Sequence, residues 1–292
     1  MSPSEKTSRD QIVEIGRLMY ANKWVASNDG NISARLDTDR LLITPTGISK
    51  GMMRPEHLVV VDFTGRKLEG DGEPTSEMGM HLAIYQQRSD VGAVVHAHPP
   101  FATGFAVAGR ALDLALVPEV VVNLGAIPLA QYGLPGTCQL TQTLLPLIPF
   151  HDAILLANHG AVTYGATLNK ALAHMETLEH VARIAIVAET LGGPRLLRTD
   201  DVDKLIGSRS RYGVASHLPD SIRPISHEEN EAMQLAGDQD SVAKVRLRHI
   251  IRSELELRFA SLCESAGYPL QLSRTDSPQS RLRRALMLKS RN

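Results

Sequence analysis

The chain has 292 residues, 43% hydrophobic and 22% charged, with a net charge of −1. That is globular composition with ample material for a large core, and it carries no global field that would draw nucleic acid or a membrane surface. Two cysteines, Cys138 and Cys263, exclude a disulfide framework or a thiolate metal cage, and the polar start with no apolar run of ~18–20 residues leads to the expectation of a cytoplasmic protein.

In chain order, Ile12, Ile15 and Met19 recur at helical spacing, with Leu18 widening the apolar face and Asp10 as a candidate cap. Ser27-Asn28-Asp29-Gly30-Asn31 then breaks the pattern with turn formers. Strand-like runs follow at residues 32–36, 41–44 and 58–62, the last turning back through Thr64-Gly65 as a hairpin. Thr75 and Ser76 open a helix that runs to residue 87, and the apolar run 91–95 leads into His96 and His98. A helix over 101–107, strands over 117–129 and a helix over 137–145 come next. A buried strand over 153–157 ends at Asn158-His159-Gly160. A long helix over 167–191 is stopped by Gly192-Gly193-Pro194. Irregular alternation with hairpins predicts an α/β layered fold rather than a regular doubly wound sheet.

Beyond Val214 the character changes. Pro219, Pro224 and Gly237 punctuate the chain, and residues 241–265 read as one amphipathic helix. Residues 274–292 set Arg274, Arg281, Arg283, Arg284, Lys289 and Arg291 against Asp276 alone, a solvated or interface-forming tail rather than a nucleic-acid arm. The expected division is a catalytic domain over 1–213 and a mainly helical extension with a basic tail over 214–292.

The sharpest chemical feature is His96-Ala97-His98-Pro99. Side chains at i and i+2 of a strand share a face, so both rings can reach one ion; two hydrogen-bonded surface histidines fit the pattern equally well. His159 tips the balance, because it too ends a buried strand, with Gly160 allowing a tight turn. Three histidines on strand ends form an open site suited to zinc, with manganese or cobalt also fitting.

Pro74-Thr75-Ser76-Glu77 starts a helix where backbone N–H groups and the dipole favour an anion, although Ser76 as a plain cap and Glu77 as an ordinary first-turn carboxylate explain the stretch as well. His81, four residues after Glu77, is a rival fourth ligand or a packed helix residue. Asp29-Gly30-Asn31 and Thr44-Pro45-Thr46-Gly47 are further anion cradles. No lysine lies within these stretches, although Lys50 follows closely, so electrophilic work falls to a metal rather than a Schiff base.

Gly30-Asn31-Ile32-Ser33, Ile43-Thr44-Pro45-Thr46-Gly47, Pro74-Thr75-Ser76-Glu77, His96-Ala97-His98-Pro99 and Asn158-His159-Gly160, in that order, resemble the class II aldolase/adducin family over residues 10–213. The resemblance implies a single-domain α/β/α fold around a largely antiparallel sheet, assembled as a homotetramer with sites between subunits. It implies one divalent metal on His96, His98 and His159, with Glu77 binding the resting ion and then serving as acid–base catalyst. It also implies substrate phosphate contacts at Asn31, Thr46, Gly47, Thr75 and Ser76, with Thr75 conservatively replacing the family's first serine. Aldolases of the family use two tyrosines. Arg211-Tyr212-Gly213 resembles the context of one, giving Tyr212 a catalytic role, whereas Leu116-Val117-Pro118-Glu119-Val120 offers no match for the other.

The implied reaction is reversible retro-aldol cleavage of a ketose 1-phosphate to dihydroxyacetone phosphate and an aldehyde, through an enediolate stabilised by the metal. A pentulose-phosphate 4-epimerase and a decarboxylase of a phosphorylated keto acid share these requirements. An adducin-like scaffold has no use for three such histidines and Glu77.

Overall fold

The computed structural model describes residues 2–214 together with Ile222. Its first helix, α1 (Pro3–Ala21), starts earlier than expected. Ser2, not Asp10, is the cap, its hydroxyl accepting from the Glu5 N–H at 3.1 Å. Ile12, Ile15 and Met19 are buried as their spacing requires, while Leu18 stays 40% exposed.

The elements that follow are β1 (Asn31–Arg35), β2 (Arg40–Ile43), β3 (Val59–Asp62), β4 (Lys67–Glu69), α2 (Met78–Gln87), β5 (Ala93–Ala97), α3 (Pro100–Val107) and α4 (Pro118–Asn123). Then come β6 (Leu129–Ala130), α5 (Cys138–Leu144), β7 (Ala153–Leu156), β8 (Gly160–Gly165), α6 (Leu168–Thr190) and α7 (Thr199–Ser208). The strands form one eight-stranded sheet in the order β4-β3-β2-β1-β5-β8-β7-β6. Every neighbouring pair is antiparallel except β6 with β7.

Period-two alternation sorts the strand residues between two cores. Ile32, Leu42, Val60 and Val95 point to one side with α1, α3 and α6, while Leu41, Ile43, Val61, Val94 and Val162 point to the other with α2 and α5. The result is the layered α/β/α arrangement. Ile222 is buried in the first of these cores. No helix of the described residues is long and apolar enough to cross a membrane.

Other expectations also need correction. The strands expected over 117–129 are instead α4 followed by the two-residue β6. Pro118 sits in the first turn behind an extended Val117, and burial of Val120, Val121 and Val122 overrides their β preference. Gly125, at φ 65°, then closes the helix by donating to Val120 O at 2.8 Å. Strand β8 and helix α7 were not expected. The helix opened by Thr75 and Ser76 begins at Met78, after a turn in which Met78 N–H donates to Thr75 O. The helix over 241–265, the basic tail and nearly all of the 214–292 extension lie outside the described residues.

Candidate active site

Register places the site at one end of the sheet centre. Asn31 on β1 pairs with His96 on β5, and Ala97 of the same strand pairs with Ala161 on β8. His98 leaves the end of β5, and His159 sits in the β7–β8 turn. That turn depends on Asn158, at φ 55°, rather than on Gly160. Gly160 is required for a different reason. A Cβ there would lie 2.5 Å from Ala97 O and 2.5 Å from His98 Cδ2, so only glycine lets the two strand ends close on the histidines.

The three rings and Glu77 converge. His96 Nε2 lies 3.2 Å from His98 Nε2 and 3.1 Å from Glu77 Oε2, while His159 Nε2 is 3.3 Å from Glu77 Oε1. One ligand atom from each histidine falls within 4.8 Å of the others. A tetrahedral ion with bonds of ~2.0–2.1 Å has ligand-to-ligand edges of roughly 3.3–3.4 Å, and the three contacts of 3.1, 3.2 and 3.3 Å are compatible with a divalent cation. His96 Nδ1–H donates to Ala161 O at 2.9 Å, which turns its Nε2 toward the cluster, and His98 Nδ1 lies 3.6 Å from Asp29 Oδ2. Glu77 Oε1 is buried without a hydrogen-bond partner among the described residues, as a ligand atom should be.

Electrostatics agree with this arrangement. Burial raises the Glu77 carboxyl, but His96, then His159 and Asn31, more than offset it and hold it well below the usual carboxylate range. Burial pushes His98 and His159 down to about 4, helped by His96, so both rings are neutral near pH 7, as ligands must be. His96 goes the other way: burial lowers it, and the Glu77 carboxylate more than reverses the effect.

Beside the cluster opens a cleft of about 200 Å³, lined among others by Asn28, Asp29, Asn31, Thr46, Thr75 and Ser76. Its two loops are laced together, with Thr46 N–H donating to Glu73 O at 2.9 Å and Thr75 N–H to Thr44 O at 3.1 Å. Thr46 and Ser76 are exposed, and their hydroxyls make no hydrogen bond among the described residues. Gly47, at φ 74°, completes the turn but does not itself line the cleft. Lys50 is buried and donates to Asn28 O at 3.1 Å and Ile48 O at 2.9 Å.

Other candidate residues fall elsewhere. Glu73 is exposed and paired with Lys67 at 2.6 Å. Tyr212, 68% exposed on a short 3-10 turn, does not line the cleft of the single chain. His81 is no fourth ligand, because its Nδ1 meets Ser33 Oγ at 2.7 Å and its Nε2 meets Asn31 Oδ1 at 2.5 Å. Asn31 in turn donates from Nδ2 to Glu77 Oε2 at 2.9 Å, so its amide bridges His81 and Glu77. Ser33 and Tyr85 were not foreseen as part of this region. The signal was present as Asn31-x-Ser33 on a strand and Glu77, His81 and Tyr85 four apart on a helix.

Burial drives the His81 ring down to about 3, with His96 adding to the effect and Glu77 opposing it. The unfolded chain takes up this proton near pH 6.5. Between about 6.5 and 3 the unfolded state therefore holds a proton that the native state refuses, and stability falls as the pH drops through that window. Thermal midpoints measured across it should decline more steeply for the wild type than for His81→Gln. Parallel curves would contradict the assignment.

The fold, together with a group of three histidines able to hold a metal ion, points to a class II aldolase-type enzyme. Residues 10–186 match the model of the family described as Class II Aldolase and Adducin N-terminal domain, and the chain belongs to that family. It is 35% identical to the L-fuculose phosphate aldolase of Methanococcus maripaludis over 181 residues, 62% of this chain and 97% of the relative. Identity to the 3-oxo-tetronate 4-phosphate decarboxylase of Pectobacterium atrosepticum is 33%, over 69% of this chain and 94% of the relative. A solved L-fuculose 1-phosphate aldolase superposes with a TM-score of 0.66 at 27% identity, covering 73% of this chain and 98% of that structure.

Proposed function

We propose that this chain cleaves a ketose 1-phosphate reversibly to dihydroxyacetone phosphate and an aldehyde. The observation that carries the reading is the convergence of three imidazole Nε2 atoms and the Glu77 carboxylate on one point beside a cleft of unpaired donors. Similarity to aldolases of sugar phosphates supports it.

His96, His98 and His159, with Glu77, would hold a divalent ion that would supply Lewis-acid polarisation of the substrate carbonyl, and imidazole nitrogens suit zinc. Thr46, Gly47, Thr75, Ser76 and the remaining N–H of Asn31 hold the phosphate and set the reacting carbons beside Glu77. Glu77 takes the proton from the hydroxyl of the carbon that leaves as aldehyde, the carbon–carbon bond breaks, and a proton returns to the carbon left behind. Tyr212, exposed on the single chain, is assigned by the family resemblance to the aldehyde side of a site completed by a neighbouring copy.

If the phosphate positions the substrate, its removal lowers kcat/KM strongly, because remote binding energy is then lost from the transition state. Kinetics on a ketose 1-phosphate and on the free ketose measure this, and equal values would remove the phosphate cradle from the account. By its family resemblance we take the protein to be a cytoplasmic homotetramer. Light scattering should report four chains, whereas an active monomer would contradict a shared site.

A second reading has its own support in the decarboxylase relative. Loss of carbon dioxide from a phosphorylated 3-keto acid needs the same cradle and the same stabilised enolate but no proton taken from a hydroxyl. Carbon dioxide release from such an acid, with no cleavage of any ketose 1-phosphate, would favour it.

A further inference from the structure

Behind Glu77 runs a buried chain of four polar side chains. Asn31 and Ser33, two apart on β1, share the face toward α2; Glu77 at the cap of α2 and His81 and Tyr85 within it, four apart, line up toward them. Two strand residues advance about 6.6 Å and four helical residues about 6.0 Å, so the two rows interleave in step. The contacts run from Tyr85 Oη to Ser33 Oγ at 2.9 Å, Ser33 Oγ to His81 Nδ1 at 2.7 Å, His81 Nε2 to Asn31 Oδ1 at 2.5 Å, and Asn31 Nδ2 to Glu77 Oε2 at 2.9 Å. His81 and Ser33 are 0% exposed and Asn31 is 3% exposed.

Chemistry assigns every proton in the chain. An ionised Glu77 only accepts, so Asn31 must present its NH2 to it and its oxygen to His81. His81 Nε2 must then carry the hydrogen, which makes Nδ1 the acceptor. Ser33 donates to Nδ1 and accepts from Tyr85, whose phenol burial holds protonated. Any reversal places two donors or two acceptors face to face in a dry interior.

We infer that His81 is a positioning residue: by donating to Asn31 Oδ1 it fixes the amide with its NH2 toward Glu77, and so holds the acid–base carboxylate in place between the histidines and the substrate. The inference rests on the acid–base role proposed for Glu77. Without the His81 donor, the Asn31 amide can rotate and turn its oxygen on the carboxylate.

The test is made on the full-length protein loaded with zinc. His81→Leu removes donor and acceptor together, whereas His81→Gln keeps one of each. In the leucine variant kcat should fall about ten- to a hundredfold, the scale of one lost hydrogen bond to a charged group. KM and zinc content should stay within about twofold, and glutamine should recover most of the rate. Equal losses in both variants, or a loss carried by KM or by zinc, would overturn the inference. If His81→Leu does not fold, nitrogen-15 NMR of histidine-labelled wild type decides the matter. His81 should be the tautomer protonated at Nε2, with the Nδ1 shift moving in Ser33→Ala, and a ring protonated at Nδ1 would overturn the proposal. The NMR outcome needs no turnover, so a failure of the proposed reaction remains distinguishable from a failure of the positioning role.

Discussion

Glu77→Gln should lower kcat by about 10²–10⁴-fold while leaving the metal in place. Glutamine matches the size of glutamate but cannot take a proton, so the step that needs a base at the substrate hydroxyl stalls. The three histidines stay intact, and their Nε2 atoms still define the ion site. If Glu77 merely complemented the start of α2, glutamine would cost at most about 1 kcal/mol and little activity. The structure weighs against that role: Glu77 stands at the cap position yet makes no capping hydrogen bond, and its oxygens face Asn31, His96 and His159 instead. Glu73→Gln is the control. That side chain is spent on Lys67 at the surface, and its loss should leave kcat nearly unchanged.

His98→Ala should have the larger effect on the ion itself. Removing one of three imidazoles leaves two nitrogen ligands and a carboxylate, and the purified variant should lose most of its zinc together with essentially all turnover. His98 suits this test because it is partly exposed, so truncation opens little core, whereas His96 is fully buried and bonded to β8. Metal analysis beside a melting curve separates the outcomes. Full metal content in a folded His98→Ala would remove His98 from the ligand set.

How much of this was legible in the sequence follows from physical range. The histidines could be read because a two-residue strand period and a strand end are local facts. So could the helix after Thr75 and the hairpin at Thr64-Gly65. The segment 117–129 misled because its valines favour strands in isolation, while a proline at the first helical position and burial against α6 and α7 decided otherwise. Strand β8 was missed because its four central residues, between glycines, are too short to show a period. The Asn31–His81 contact spans fifty residues and depends on β1 lying under α2, which no local pattern reveals. Sequence alone therefore left His81 open between ligand and packed residue, and only the register of β1 against α2 decided it.

The most direct test is dihydroxyacetone phosphate release from a panel of ketose 1-phosphates, measured on the purified chain before and after chelation and again after zinc is restored. The account predicts release from at least one member, abolished by the chelator and recovered with zinc. Release that survives complete removal of the metal, or no release from any ketose 1-phosphate by zinc-loaded enzyme, would contradict it.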